Sequence, residues 1–311
     1  MRMRKIRIGT RGSRLAIWQT DFVVNKLLEL DDSLDIEKVM IRTKGDRFLD
    51  VALSRIGDKG LFTKEIEKEL LGGSIDMAVH SMKDMPTRIT EGLAIGAVLP
   101  RENWKDVLLS REGRKLAALP VGASVGTSSL RRRAQLLAMR PDLNIVDLRG
   151  NIDTRIKRLL NGELDAIVLA AAGVIRLGYG ELVAEELEFM PAVGQGAIMV
   201  EIRDDDRAIG ELVAKLDDRS TRLAIAAERT FLAELEGGCQ IPVGCLGNVQ
   251  DEFLALEGLV SDLEGKRVFR SRLSGPADEA EDLGRKLARE LISQGAGAIL
   301  KEIRNQERDD E

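Results

Sequence analysis

Gly73-Ser74-Ile75-Asp76-Met77-Ala78-Val79-His80 is echoed by Gly162-Glu163-Leu164-Asp165-Ala166-Ile167-Val168-Leu169. In both, a glycine is followed two residues on by Ile or Leu, then by Asp, then by an apolar run of strand length. A second echo pairs Ile8-Gly9-Thr10-Arg11-Gly12-Ser13 with Val125-Gly126-Thr127-Ser128-Ser129. Each pair places a strand, a Gly-Thr turn and a helix start in the same order. The chain therefore reads as two similar α/β lobes. Facing each other, they would form a cleft, the usual place for a ligand.

Working outward, strand-like runs fall at Ile6-Ile8, Val39-Ile41, Met77-Val79, Val107-Leu109, Asn144-Val146 and Ala166-Leu169. Amphipathic helical runs alternate with them: Leu15-Leu30, Thr63-Leu71, Leu130-Met139, Ile152-Leu160 and Asp205-Leu216. That alternation predicts α/β lobes with mostly parallel sheets. Pro and Gly cluster near Leu99-Pro100-Arg101 and Pro191-Ala192-Val193-Gly194, where boundaries are expected. After Ser220 the pattern changes. A helix over Thr221-Leu235, strands at Phe253-Val260 and Arg267-Leu273, and a helix from Pro276 to about Gln294 predict a small α+β domain. The acidic residues Asp278, Glu279, Glu281 and Asp282 suit the first turn of that last helix.

With 311 residues, 44% of them hydrophobic, the chain can bury a sizeable core. No apolar run approaches the roughly 20 residues of a membrane span, and charged or glycine positions after the basic start Met1-Arg2-Met3-Arg4-Lys5 make a signal peptide unexpected. A cytoplasmic protein is expected. A net charge of −5 and 3% aromatic residues argue against nucleic acid. The two cysteines, Cys239 and Cys245, make no disulfide framework, and a single histidine, His80, excludes a His-rich metal site. No metal is expected. Gly122-Ala123-Ser124-Val125-Gly126-Thr127-Ser128 lacks the lysine and the spacing of a phosphate loop. Chemistry is left to carboxylates, arginines, lysines and a thiol.

Four segments could carry it. Glu236-Gly237-Gly238-Cys239-Gln240-Ile241-Pro242 puts a thiol behind two glycines, accessible to a large reactant, although burial as a small hydrophobe is the usual fate of a free cysteine. Between Thr127 and Arg158 lie Arg131, Arg132, Arg133, Arg140, Arg149, Arg155, Lys157 and Arg158, against Asp142, Asp147 and Asp153. With Thr127-Ser128-Ser129 as an N-cap, this is either a site for carboxylates or phosphates or a solvated basic face. His80-Ser81-Met82-Lys83-Asp84-Met85-Pro86 follows a strand, at the edge where α/β sheets bind ligands. Asp84 beside Lys83 should stay ionised and suits a developing cation, or else forms a plain turn before Pro86. Leu53-Ser54-Arg55-Ile56-Gly57-Asp58-Lys59-Gly60-Leu61-Phe62 reads as a lid or as an ordinary surface loop.

Taken together, the chain resembles the porphobilinogen deaminase (hydroxymethylbilane synthase) family over nearly its whole length. The resemblance rests on Arg7-Ile8-Gly9-Thr10-Arg11-Gly12-Ser13, Thr43-Lys44-Gly45-Asp46, Lys59-Gly60-Leu61-Phe62 and Val79-His80-Ser81-Met82-Lys83-Asp84. It continues through Gly126-Thr127-Ser128-Ser129-Leu130-Arg131-Arg132, Leu148-Arg149-Gly150-Asn151, Gly194-Gln195-Gly196-Ala197 and Glu236-Gly237-Gly238-Cys239. Gly12, Arg14, Arg55, Asp58 and Val193 depart from the common pattern.

The resemblance implies two lobes like periplasmic binding proteins and a third domain carrying the cysteine. Residues 1–99 with 197–216 would form the first lobe, 100–196 the second, and 217–311 the C-terminal domain. It implies a dipyrromethane cofactor joined to Cys239 by a thioether, and porphobilinogen as substrate. Four porphobilinogens would be condensed head to tail with loss of ammonia, and the tetrapyrrole released by hydrolysis. By motif match, Asp84 and Lys83 are the catalytic pair. Ser13, Ser81, Lys83, Asp84, Thr127, Ser128, Ser129, Arg131, Arg132 and Gly150 hold the cofactor. Arg11, Ser13, Arg149, Arg155, Arg176 and Gln195 bind substrate, with Arg55, Lys59 and Phe62 on a lid loop. A monomer that passes its product to uroporphyrinogen-III synthase is implied as well. His80 is expected to shape the strand end and Cys245 to be structural. The competing reading is a cytoplasmic two-lobed carboxylate-binding protein without catalysis.

Overall fold

The structure, a computed structural model, describes residues 5–43, 45, 63–235 and 241–309. The chain begins with β1 (Ile6–Thr10), α1 (Arg14–Leu30), β2 (Ile36–Met40), α2 (Lys64–Leu71), β3 (Met77–Ser81) and β4 (Leu93–Val98). It continues with β5 (Asp106–Ser110), β6 (Ser124–Gly126), α3 (Leu130–Met139), β7 (Asn144–Val146), α4 (Ile152–Leu160), β8 (Ala166–Ala170), α5 (Ala171–Arg176) and β9 (Val183–Leu187). Then come β10 (Ile198–Arg203), α6 (Arg207–Val213), α7 (Arg219–Glu234), β11 (Val243–Gln250), β12 (Phe253–Ser261), β13 (Val268–Pro276), α8 (Ala280–Leu291) and α9 (Gly297–Asp309).

Two compact units result. Of the described residues, one holds 5–43, 45, 63–102 and 196–222, and the other holds 103–195, 223–235 and 241–309. The first contains a five-stranded sheet of order β2-β1-β3-β10-β4. The second contains a five-stranded sheet of order β7-β6-β8-β5-β9 and a three-stranded sheet of order β11-β12-β13. The fold is thus two α/β lobes and a C-terminal α+β domain.

The sequence echo is a structural repeat. Ile8 registers with Met77 and Gly9 with Ala78; Val125 registers with Ala166 and Gly126 with Ile167. The glycine is required by close approach. A Cβ at Gly9 would lie 2.4 Å from Ile75 Cδ1, and one at Gly126 would lie 2.7 Å from Leu164 Cδ1. The aspartates of the echo serve alike too: Asp76 accepts the Arg7 amide at 2.9 Å and Asp165 the Ser124 amide at 2.8 Å. Strand alternation fills both sheet faces. Ala166 and Val168 enter one core cluster of the second lobe, Ile167 and Leu169 the other.

Both sheets are mixed, whereas the alternation predicts mostly parallel ones. In the first, β1 pairs parallel with β2 and β3, but β10 is antiparallel to β3 and β4. In the second, β6 pairs parallel with β7 and β8, but β5 is antiparallel to β8 and β9. β5 and β10 enter their sheets directly from the two crossings between lobes, with no helix between parallel neighbours to fix their direction. The predicted helix at Asp205–Leu216 starts later, because the Asp206 side chain caps it by accepting the Ile209 amide, and it ends in a 3-10 turn over Ala214–Leu216.

In the C-terminal domain, α7 and α8 pack Ala227, Phe231, Leu283 and Leu287 against Leu254 and Leu256 of β12. Cys245 is fully buried in that core, with its amide bonded to Pro191 O at 3.1 Å. The predicted last helix is α8, and a kink at Gly295, which has φ of 118°, separates it from a further helix, α9.

Candidate active site

In the first unit, the parallel pairing of β1 and β3 brings their carboxyl ends side by side. β1 leads into Arg11 and Ser13; Ser13 is the N-cap of α1 and accepts the Ala16 amide at 3.3 Å. β3 leads into Ser81 and a 3-10 turn, Met82–Asp84. Arg11, Ser13, Ser81 and Asp84 consequently line one pocket, together with Leu15, Ala16, Gln19, Thr63, Val79 and His80. Lys83 is half-buried on the same turn, off the lining of that pocket. Asp84 is exposed, and its carboxylate has no hydrogen bond to a described residue. Two buried groups brace this pocket. Gln19 Nε2 bonds Ser81 Oγ at 2.9 Å, and His80 Nε2 lies 3.1 Å from Glu201 Oε2 on the neighbouring β10. His80 thus sits at the strand end, as expected.

In the second unit, Thr127-Ser128-Ser129 joins β6 to α3. Ser129 caps the helix through the Arg132 amide, Thr127 Oγ1 accepts the Ser129 amide at 3.2 Å, and Ser128 Oγ donates to Leu148 O at 2.8 Å. That last bond ties this turn to the next one, Arg149-Gly150-Asn151, where Asn151 caps α4. Gly150 has φ of 101°, a conformation only glycine adopts readily. Arg155 Nε donates to Gly150 O at 2.8 Å. Arg149 is half-buried and pairs with no described residue. Arg176 ends α5, half-buried.

Arg131, Arg132 and Gln195 share a different environment: all converge on Asp106, which opens β5 and is fully buried. Arg131 donates to Asp106 Oδ2 at 2.7 Å and to Met190 O at 2.6 Å. Arg132 donates to Asp106 Oδ1 at 2.9 Å and to Val168 O at 3.0 Å. Gln195 Nε2 donates to Trp104 O at 2.8 Å and to Asp106 Oδ1 at 3.0 Å. The arginines are only 4% and 6% exposed. Burial pushes the Asp106 carboxyl up, but the two guanidiniums outweigh it and hold the group well below the usual carboxylate range. Burial also lowers Arg131, against the opposing pull of Asp106. The expected ligand arginines are therefore fixed in place by a carboxylate of their own lobe.

Cys239 and the lid residues Arg55, Lys59 and Phe62 lie outside the described residues. The sequence reading omits Asp106, Gln19, Glu201 and Thr63. Asp106 is signalled by a charge opening the apolar run Val107-Leu109, and Gln19 by its place on the buried stripe Ala16, Gln19, Thr20, Val23 and Leu27 of α1. Among the described residues no cluster of His, Cys, Asp or Glu could hold a metal ion, and no helix is long and apolar enough to cross a membrane.

Comparison with known proteins gives a full-length match. Residues 6–211 match the family "Porphobilinogen deaminase, dipyromethane cofactor binding domain" and residues 222–293 match "Porphobilinogen deaminase, C-terminal domain". The chain is 55% identical to the porphobilinogen deaminase of Pelotomaculum thermopropionicum, over 98% of this chain and 99% of that one. It is 53% identical to that of Moorella thermoacetica, over 98% of each, and 50% identical to that of Geobacillus kaustophilus, over 98% of this chain and 99% of the relative.

Proposed function

Because this chain belongs to the porphobilinogen deaminase family, we propose that it is a hydroxymethylbilane synthase, a transferase of tetrapyrrole biosynthesis. It condenses four porphobilinogens head to tail on a dipyrromethane primer, releases ammonia at each addition, and finally hydrolyses off hydroxymethylbilane. The observation that carries this reading is coverage: relatives of that name align over 98% of the chain, from the Arg11 turn to the C-terminal domain. A carboxylate-binding protein without catalysis is not favoured by those relatives.

The donor set fits a dipyrromethane. Such a group presents acetates and propionates together with pyrrole N–H groups, so it needs cations and hydroxyls on one side and a carboxylate on the other. Cys239, within the matched residues 222–293, is the attachment point through a thioether. When bound, the primer supplies a pyrrole with a free α-carbon, the nucleophile of the first condensation. Ser13, Ser81 and Lys83 in the first lobe and Thr127, Ser128, Ser129, Arg131, Arg132 and the Gly150 turn in the second hold its carboxylates. Arg11, Arg149, Arg155, Arg176 and Gln195 serve incoming substrate. Arg149 supports this assignment, since no described residue neutralises it.

Asp84 accepts pyrrole N–H bonds and stabilises the positive charge that develops on the substrate as ammonia departs. Its carboxylate is suited to that because no described group competes for it. Lys83 adds a cation beside the departing amine. Arg55, Lys59 and Phe62 close over the site and keep water out until the last step. The enzyme works as a cytoplasmic monomer and passes its product to uroporphyrinogen-III synthase. Its three domains are residues 1–99 with 197–216, 100–196 and 217–311.

Denaturing mass spectrometry of protein made in a tetrapyrrole-producing host tests the assignment. The wild type should carry an adduct of two linked pyrroles that Cys239→Ser lacks, and should gain further pyrrole units on incubation with porphobilinogen. A wild-type chain that stays bare after that incubation would sink the enzyme reading.

A further inference from the structure

Thr63 is the N-cap of α2, yet its side chain makes no capping hydrogen bond. The polar N-cap Glu279 of α8 makes none either. Ser13, Ser129, Asn151 and Asp206 each accept a backbone amide of the helix they precede. Thr63 has helical backbone angles (φ −120°, ψ −35°) in place of the extended conformation that aims a cap oxygen at its own helix. Its hydroxyl is consequently directed elsewhere. The residue is 1% exposed, and Oγ1 has no hydrogen-bond partner among the described residues. A buried hydroxyl without a bond destabilises the fold, and valine would fill the same volume without that cost.

The location of this hydroxyl gives it a use. Thr63 lines the pocket of Arg11, Ser13, Ser81 and Asp84. The donors of the pocket are the Arg11 guanidinium and the hydroxyls of Ser13 and Ser81. Asp84 supplies the acceptor. A pyrrole bearing carboxylates matches that division: its N–H goes to Asp84 and a carboxylate goes to the donors. We propose that Thr63 is a substrate-contacting residue whose O–H donates to a carboxylate of the pyrrole held in this pocket. The assignment rests on the porphobilinogen reading above and adds to it a residue that sets substrate affinity.

The test compares wild-type holoenzyme with Thr63→Val and Thr63→Ser, reading porphobilinogen consumption and thermal unfolding. Thr63→Val should raise KM about tenfold, the scale of a lost hydrogen bond to a charged group, with kcat within about threefold. Thr63→Ser should bring KM back to within about twofold of wild type. Thr63→Val should melt no lower than wild type, because the hydroxyl bonds no described residue. An active wild type whose KM is unmoved by Thr63→Val would overturn this inference alone. A Thr63→Val protein that melts well below both others would assign the hydroxyl to the fold and overturn it too. A wild type that consumes no porphobilinogen would overturn both this inference and the enzyme reading.

Discussion

The two lobes share a backbone plan and differ in where they bury charge. Strand β3 of the first and β8 of the second hold the same slot, and each has an antiparallel neighbour, β10 or β5. Position by position, Ile198 pairs with Ser81 where Asp106 pairs with Ala170. Glu201 pairs with Ala78 where Leu109 pairs with Ile167. His80 likewise corresponds to Leu169. So the first lobe buries a His80–Glu201 pair where the second has two leucines, and the second buries Asp106 with two arginines where the first has an isoleucine. A fold that is built both ways requires neither charged group. Each belongs to what its lobe does: His80 lines the Asp84 pocket, and Asp106 fixes Arg131 and Arg132.

The strongest way to break this comparison is to give the second lobe the residue of the first. Asp106→Ile would leave two guanidiniums buried side by side without their counter-ion, a loss of about 3–5 kcal/mol. Urea unfolding would measure it, and a loss under about 1 kcal/mol would show that the arginines do not depend on Asp106. The pH dependence has a fixed sign. The folded-state pKa of Asp106 is depressed, so its contribution is present above the unfolded value near 3.9 and is lost as pH falls through the folded value. The gap between wild type and variant should hold steady from neutral pH to about 5 and shrink below about 4.

The reciprocal exchange puts the leucines of the second lobe into the first. Glu201→Leu alone leaves His80 Nε2 without its partner in a buried site, and His80→Leu alone leaves the Glu201 carboxyl likewise. Each should cost roughly 2 kcal/mol. The double variant should cost less than either, since Leu109 and Leu169 show that the slot accepts apolar side chains. A double variant as unstable as the sum of the singles would mean that the slots differ in shape as well as in charge. Even a well-folded double variant should lose turnover, because His80 lines the pocket of Asp84.

How much of this is readable from sequence follows from how local each feature is. The Gly-Ile-Asp and Gly-Leu-Asp echoes report a close approach inside one β-loop-helix unit, so they are visible in a dozen residues. The helix starts at Ser13, Ser129 and Asn151 are equally local. The direction of β5 and β10 is not, because it depends on which sheet a strand joins after crossing between lobes. β11 escapes notice because Gly244 and Gly247 interrupt its apolar pattern. Those glycines are packed against Met190 and Ala224, contacts made by distant parts of the chain. The arginine-rich segment is conspicuous in sequence, but its partner Asp106 lies 25 residues from Arg131, and nothing local distinguishes a paired arginine from one such as Arg149 that no described residue pairs.

The smallest effect separates the caps of two equivalent helices, α4 and α2, each of which leads into the glycine of an echo. Asn151 Oδ1 accepts the Thr154 amide at 2.9 Å, so its side chain satisfies its own helix. Thr63 does not. Asn151→Ala should therefore lower stability by about 1 kcal/mol, and Thr63→Val by close to nothing, when both are measured by urea unfolding without substrate. The contrast has a functional corollary. An N-cap that holds its own helix can be replaced only at a cost in stability, while one whose hydroxyl is unengaged in the fold can be lost without harm until substrate is present. If the two substitutions proved equally costly, Thr63 would be a structural cap like Asn151, and the lobes would not differ at this point.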